Sequence, residues 1–157
     1  MTGAVSVAKR PAGARSIDEI LNAARDRLAR LAPSAAHAEL SAGAVLVDIR
    51  PAAQRAASGE IPGSWIVERN HLEWRFDPES AARLPFVADY GLRVIVICAE
   101  GYTSSLAATA LKDLGLSRAT DVAGGYAAWA AAGLPTVAPA SDAVAIAPGA
   151  SAAAAAL

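Results

Sequence analysis

One cysteine and two histidines are the only thiol and imidazole groups in 157 residues. A lone thiol cannot close an internal disulfide, and with two imidazoles it falls short of a structural zinc set. The sequence therefore reads as a protein with no metal and no disulfide, in a reducing compartment taken to be the cytoplasm. Charge of one sign is lacking too. Fourteen Lys and Arg stand against fifteen Asp and Glu, a net charge of −1, which leaves no basic excess for a phosphate backbone and excludes nucleic acid as a partner. Long hydrophobic runs are also missing. The most apolar stretch, 143–157, is broken by Pro148, Gly149 and Ser151 and is shorter than the ~18 residues a spanning helix needs, so no membrane is expected. Lys9 and Arg10 follow a weakly apolar stretch, the reverse of the order in a secretory signal. Aromatic residues make up only 5% of the chain. Trp65, Trp74 and Trp129 are too far apart in sequence for a stacking platform and read as core anchors.

What the chain has in quantity is alanine, 42 residues of its 157. Its larger apolar residues gather in short runs. Residues 1–15 show no periodicity and read as a flexible N-terminal arm. Ser16-Ile17-Asp18-Glu19 forms a capping box, and Ile17, Ile20, Leu21, Leu28 and Leu31 recur at helical spacing, with Arg25, Arg27 and Arg30 suiting a helix C-terminus. Pro33 ends that helix, Ser34 can cap a second one through Leu40, and Gly43 closes it. From there strand and helix alternate: a strand over 45–48, a helix over 51–57, a short strand over 65–67, a short helical segment around 71–75, a strand over 93–97 and a helix over 104–114. A last short strand near 120–122 leads into Gly124-Gly125 and a helix carrying Tyr126 and Trp129. Short apolar runs separated by helices are the signature of a parallel sheet covered on both faces, an α/β fold. The domain is expected over 16–136, one unit with an extra N-terminal helix, and 137–157 reads as an Ala-rich flexible tail.

Cys98 directly follows the apolar run Val94-Ile95-Val96-Ile97 and precedes Ala99-Glu100-Gly101-Tyr102-Thr103-Ser104-Ser105 and an apolar-periodic helix. It stands where strand becomes loop and loop becomes helix. In an open parallel sheet the carboxyl ends of the strands form the binding crevice, and a helix N-terminus presents free N–H groups and partial positive charge. Such surroundings favour the thiolate, which is the nucleophilic form. Gly101 lets the backbone turn its N–H groups inward, and Thr103, Ser104 and Ser105 offer hydroxyls, so the loop suits an anion. The same position equally suits a small buried residue closing a strand.

Four stretches, in order, resemble the rhodanese-like sulfurtransferase family. Val45-Leu46-Val47-Asp48-Ile49-Arg50 is similar to its opening strand with Asp-x-Arg, and Gly59-Glu60-Ile61-Pro62-Gly63-Ser64 to its Gly-x-Ile-Pro-Gly-Ala turn. The stretch from Cys98 to Ser104 resembles its active-site loop, and Gly124-Gly125-Tyr126-x-x-Trp129 with Gly133-Leu134-Pro135 its closing motif. The resemblance covers about residues 34–136 and implies a central five-stranded parallel sheet flanked by helices on both faces. It also implies the chemistry. Cys98 takes a sulfane sulfur from thiosulfate or a persulfide, carries it as Cys-S-S⁻ and passes it to cyanide or a thiol. Backbone N–H groups of Ala99, Glu100, Gly101, Tyr102 and Thr103 would hold the persulfide. No metal or organic cofactor is implied, and the partners are small sulfur anions or a persulfide-bearing protein or thiol.

Two local features bear on the substrate. Tyrosine phosphatases of this fold have a loop one residue longer with a phosphate-gripping arginine, whereas here the stretch from Cys98 to Thr103 is short and no arginine occurs between Cys98 and Ser117. Many sulfurtransferases carry arginine right after the cysteine, where this chain has Ala99 and then Glu100. Positive charge must then come from backbone dipoles or from elsewhere, with Arg69 and Arg75 as candidates beside their reading as solvated surface residues. Asp48 and Arg50 suit helix capping and local pairing, and His71 reads as a surface residue. The main alternative is a rhodanese-like binding or sensory module without turnover. A phosphatase or arsenate reductase would need the longer loop or the arginine.

Overall fold

The computed structural model describes residues 3–139. Its elements are α1 (Ile17–Asp26), α2 (Pro33–Leu40), β1 (Val45–Asp48), α3 (Ala52–Ser58), β2 (Trp65–Ile66), a 3₁₀ turn (Arg69–His71), α4 (Leu72–Phe76), β3 (Val94–Ile97), α5 (Thr103–Asp113), β4 (Thr120–Asp121) and α6 (Gly125–Ala131). The strands form one sheet in the order β2-β1-β3-β4 with every pairing parallel. Among the described residues the sheet has four strands where the resemblance implies five. The fifth position is reduced to a single parallel bridge between Leu31 and Val122. Leu31 N–H donates to Asp121 O and Ala123 N–H to Leu31 O, but Pro33 opens α2 two residues later and the ladder cannot continue.

Side chains of β3 alternate between two cores, as the period of a strand requires. Val94 and Val96 pack with Val47, Phe76, Ala107, Ala108 and Leu111 on the α4 and α5 side. Ile95 and Ile97 pack with Leu46, Ala36, Ile61, Val122 and Trp129 on the α2 and α6 side. Both faces are therefore covered, which explains why β3 reads as an unbroken Val/Ile run.

The N-terminal helix differs from the expected stripe. It is capped as predicted, with Glu19 N–H donating to Ser16 Oγ, but it ends at Asp26, so Leu31 leaves it for the sheet edge. Leu21 and Ala24 are its buried residues, while Ile17 and Ile20 are exposed; α1 packs on α5. Ala32, not Ser34, occupies the cap of α2, and its side chain makes no capping bond. Trp129 is a core anchor and Trp65 is half-buried against Phe86, but Trp74 is 58% exposed and anchors nothing.

Residues 3–13 of the expected arm are exposed and outside any helix or strand. At the other end Val137, placed in the tail by the sequence, is bridged to Glu60 through two backbone hydrogen bonds of 2.9 and 2.7 Å. The rest of that tail, 140–157, lies outside the described residues. Among the described residues no helix is long and apolar enough to cross a membrane.

Candidate active site

Chain order and sheet order part company between β1 and β3: from β1 the chain goes to one side for β2 and returns to the other for β3. Crevices in open α/β sheets form at such a reversal, outside the carboxyl ends of the strands. Cys98 is the first residue after β3 and Asp48 the last of β1, so the thiol lies at that place. It is 3% exposed.

The loop from Cys98 to α5 wraps around the sulfur. Gly101 N–H donates to Cys98 Sγ at 3.2 Å and Ser104 N–H at 3.4 Å. The second donor belongs to the first turn of α5, an 11-residue helix, whose N-terminal partial charge favours an anion there. Of the five predicted loop residues only Gly101 touches the sulfur in this way among the described residues. Ser104, which does so through its backbone, was expected to contribute a hydroxyl. Glu100, Tyr102 and Thr103 are exposed and Ala99 is half-buried.

The carbonyls of the same loop are held from elsewhere. Cys98 O accepts from Tyr126 N–H at 2.7 Å and Ala99 O from Ala127 N–H at 3.0 Å, both in the first turn of α6. This explains the Gly-Gly preceding Tyr126. A Cβ on Gly125 would stand 2.5 Å from Cys98 O and 2.7 Å from Gly101 N, and Gly124 and Gly125 both have positive φ, 77° and 59°, so only glycine lets the two backbones touch.

Gly101 O receives charged donors: Arg25 Nη2 at 2.8 Å and Arg30 Nη2 at 2.9 Å. Arg30 also forks onto Asp121 at 2.9 and 3.1 Å. Asp121, fully buried at the end of β4, further accepts the hydroxyls of Ser104 at 2.7 Å and Ser105 at 2.8 Å. Those hydroxyls therefore bind the loop to β4 and do not line an anion cradle, as the sequence had suggested. Neither Thr103 nor a serine caps α5, whose cap residue is Tyr102 with no side-chain bond.

Asp48 and Arg50 form a buried fork of 2.8 to 3.2 Å. Arg50 also donates to Gly59 O at 2.8 Å and stacks its guanidinium 4.0 Å from the centre of the Tyr126 ring. The pair thus joins β1, the turn after α3 and α6, while Pro51 takes the cap of α3. Arg69 is committed to Glu73 at 2.6 Å. Arg75 is buried, not solvated, and donates to Ala82 O at 2.8 Å; burial lowers its pKa from the ordinary arginine value. Neither arginine has a hydrogen bond to the Cys98 loop among the described residues. The charges near the loop come instead from Arg25 and Arg30. The sequence showed these as cations closing a helix, and no local signal tied them to a residue more than seventy positions away. Among the described residues no group of three His, Cys, Asp or Glu could hold a metal ion.

Residues 32–132 match the Rhodanese-like domain. Over 100 residues the chain is 37% identical to the thiosulfate sulfurtransferase GlpE of Stutzerimonas stutzeri (strain A1501), covering 64% of this chain and 83% of that protein. It is equally identical over 102 residues to GlpE of Pseudomonas savastanoi pv. phaseolicola, covering 65% and 87%. Among solved structures it is similar to a protein of unknown function from Rhodopseudomonas palustris CGA009, described as a possible tyrosine phosphatase. That likeness has 31% identity and a TM-score of 0.73 over 84% of this chain and all of the other. A parallel sheet with the cysteine loop at its topological switch and a glycine pair packed beneath that loop, matched over 32–132, makes this chain a member of the rhodanese-like domain family.

Proposed function

We propose that the protein is a sulfurtransferase that moves a sulfane sulfur from thiosulfate or a persulfide to a thiophilic acceptor through a persulfide on Cys98. The observation that carries this reading is the pair of backbone N–H donors, Gly101 and Ser104, aimed at Cys98 Sγ. They stabilise anionic sulfur without a side-chain cation from the loop itself. Relatives named thiosulfate sulfurtransferase support the reaction class.

In the first half-reaction the Cys98 thiolate attacks the outer sulfur of thiosulfate. A new S–S bond forms, the S–S bond of thiosulfate breaks, and sulfite leaves with the bonding electron pair. In the second, cyanide or a thiolate attacks the outer sulfur of Cys-S-S⁻ and the Cys98 thiolate is the leaving group. Each step is a displacement at sulfur for which the thiolate suffices, and the covalent intermediate divides one transfer into two.

A phosphatase reading has one specific support, the likeness to the Rhodopseudomonas palustris protein. The loop speaks against it. No arginine stands between Cys98 and the start of α5 to grip a phosphoryl group bidentately, and Arg25 and Arg30 are spent on Gly101 O and Asp121. The deciding experiment is intact mass after incubation with thiosulfate or a persulfide donor. A gain of about 32 Da that cyanide removes, and that Cys98→Ser lacks while keeping its circular dichroism, is expected for one carried sulfur. Hydrolysis of an aryl phosphate without sulfur uptake would replace this reading with the phosphatase, and neither activity would leave a binding module.

A further inference from the structure

The family match begins at residue 32, yet two of the side chains that hold the cysteine loop lie before it. Arg25 sits in the last turn of α1 and Arg30 in the segment leading to the Leu31 bridge. Both donate to one atom, Gly101 O, and each has a second tie that fixes its direction. Arg25 Nε donates to Ser105 Oγ at 3.2 Å, and its guanidinium lies 5.5 Å from the centre of the Tyr102 ring. Arg30 is locked by its fork on the buried Asp121.

Two guanidinium donors on one carbonyl are more than a structural tie requires, since a neutral donor would satisfy that oxygen. Their effect continues through the peptide. No peptide bond among the described residues is cis, so Gly101 C=O and Tyr102 N–H, which share one peptide plane, point in opposite directions. Drawing the carbonyl toward Arg25 and Arg30 turns the Tyr102 N–H away from them, and charge-assisted bonds on the oxygen polarise the amide. Among the described residues that N–H has no acceptor. The other charged groups around the loop are Asp121 beneath it, Glu100 exposed on it, and Asp48 and Arg50 paired with each other.

We propose that Arg25 and Arg30, supplied by the N-terminal segment outside the family match, are positioning residues that act through the Gly101 carbonyl to aim the Tyr102 N–H at the outer, negatively charged sulfur of donor or persulfide. The inference rests on the sulfurtransferase reading and assigns the source of positive charge that Ala99 leaves missing from the loop. It makes α1 part of the transfer site.

The test compares two reactions of the same thiol in the full chain. Iodoacetamide is uncharged and needs no donor for an outer sulfur, whereas persulfide formation from thiosulfate does. Arg25→Ala is expected to slow persulfide formation at saturating thiosulfate about ten-fold, the loss of one charge-assisted donor. Iodoacetamide alkylation of Cys98 should change less than about three-fold, and the melting temperature by less than about 3 °C. Arg25→Lys keeps the charge without the fork and should recover part of the rate. Arg30→Lys, which keeps a cation for Asp121 but shortens the reach to Gly101 O, should slow persulfide formation without a matching loss in alkylation. Unchanged persulfide formation in Arg25→Ala and Arg30→Lys would overturn the inference while leaving the sulfurtransferase reading intact. An equal fall in both reactions would also overturn it, since that marks general disorder of the loop. A wild-type protein that takes up no sulfur overturns both.

Discussion

The Cα of Gly125 lies against the carbonyl of Cys98 so closely that a methyl group added to it would stand 2.5 Å from that oxygen. The atom in the way is backbone, so no rotamer change can relieve the clash. Gly125→Ala also forces an alanine to φ near 59°, itself a cost of about 1–2 kcal/mol. The variant should lose sulfur transfer and melt more than about 5 °C below wild type, as read by thiocyanate formation and differential scanning fluorimetry. A wild-type melting point together with full activity would refute the packing described for this pair.

Glu100 is exposed and has no ion-pair partner among the described residues, so its charge reaches an anionic donor only through solvent-screened repulsion. Replacing it with glutamine should raise kcat/KM for thiosulfate by about two-fold at low salt. The gain should vanish by ionic strengths near 1 M, where the screening length falls to about 3 Å. A kcat/KM that is unchanged or lower at both salt concentrations would remove charge repulsion by Glu100 from the account of donor choice.

Glu39 supplies a pH-dependent contribution to stability. Its pKa is lowered from 4.5, first by the hydrogen bond from Arg93 and then by the charges of Arg93 and Arg118, with burial opposing. A carboxyl with a depressed folded-state pKa stabilises the fold above its unfolded value, and that stabilisation is lost as pH falls through the folded value. With its side chain 35% exposed, solvent screening holds the contribution to no more than about 1 kcal/mol. Urea unfolding should find Glu39→Gln slightly less stable than wild type at pH 7, with the gap closing as pH drops below 4.5. A gap of equal size at acid pH would show that the carboxylate charge is not its source.

The bridge between Glu60 and Val137 separates two truncations. A chain ending after Thr136 loses both hydrogen bonds of that bridge, each worth about 1 kcal/mol net. It should melt about 3–6 °C below a chain ending after Pro139. Equal melting points would mean that the bridge adds nothing to stability.

The amino-acid sequence on its own was enough to fix the class of fold and to single out Cys98 as the candidate nucleophile. Alternating short apolar runs and helical stretches point to a covered parallel sheet, and β1, β3 and α5 fall within a residue of where their patterns put them, because buried strands and amphipathic helices write their periods locally. Cys98 was legible for the same reason: its setting, strand then glycine-bearing loop then helix, is contiguous in the chain. The tertiary structure alone decided what surrounds the thiol. Ser104 and Ser105 looked like anion ligands, but Asp121, which competes for their hydroxyls, arrives from another strand. The charge behind the loop comes from Arg25 and Arg30, 76 and 71 positions from the carbonyl they hold. The fifth strand shrank to a Leu31 bridge through the position of Pro33 relative to β4. Periodicity reports which face of an element is buried. Which polar group meets which is set by where distant elements pack, and no local pattern encodes that.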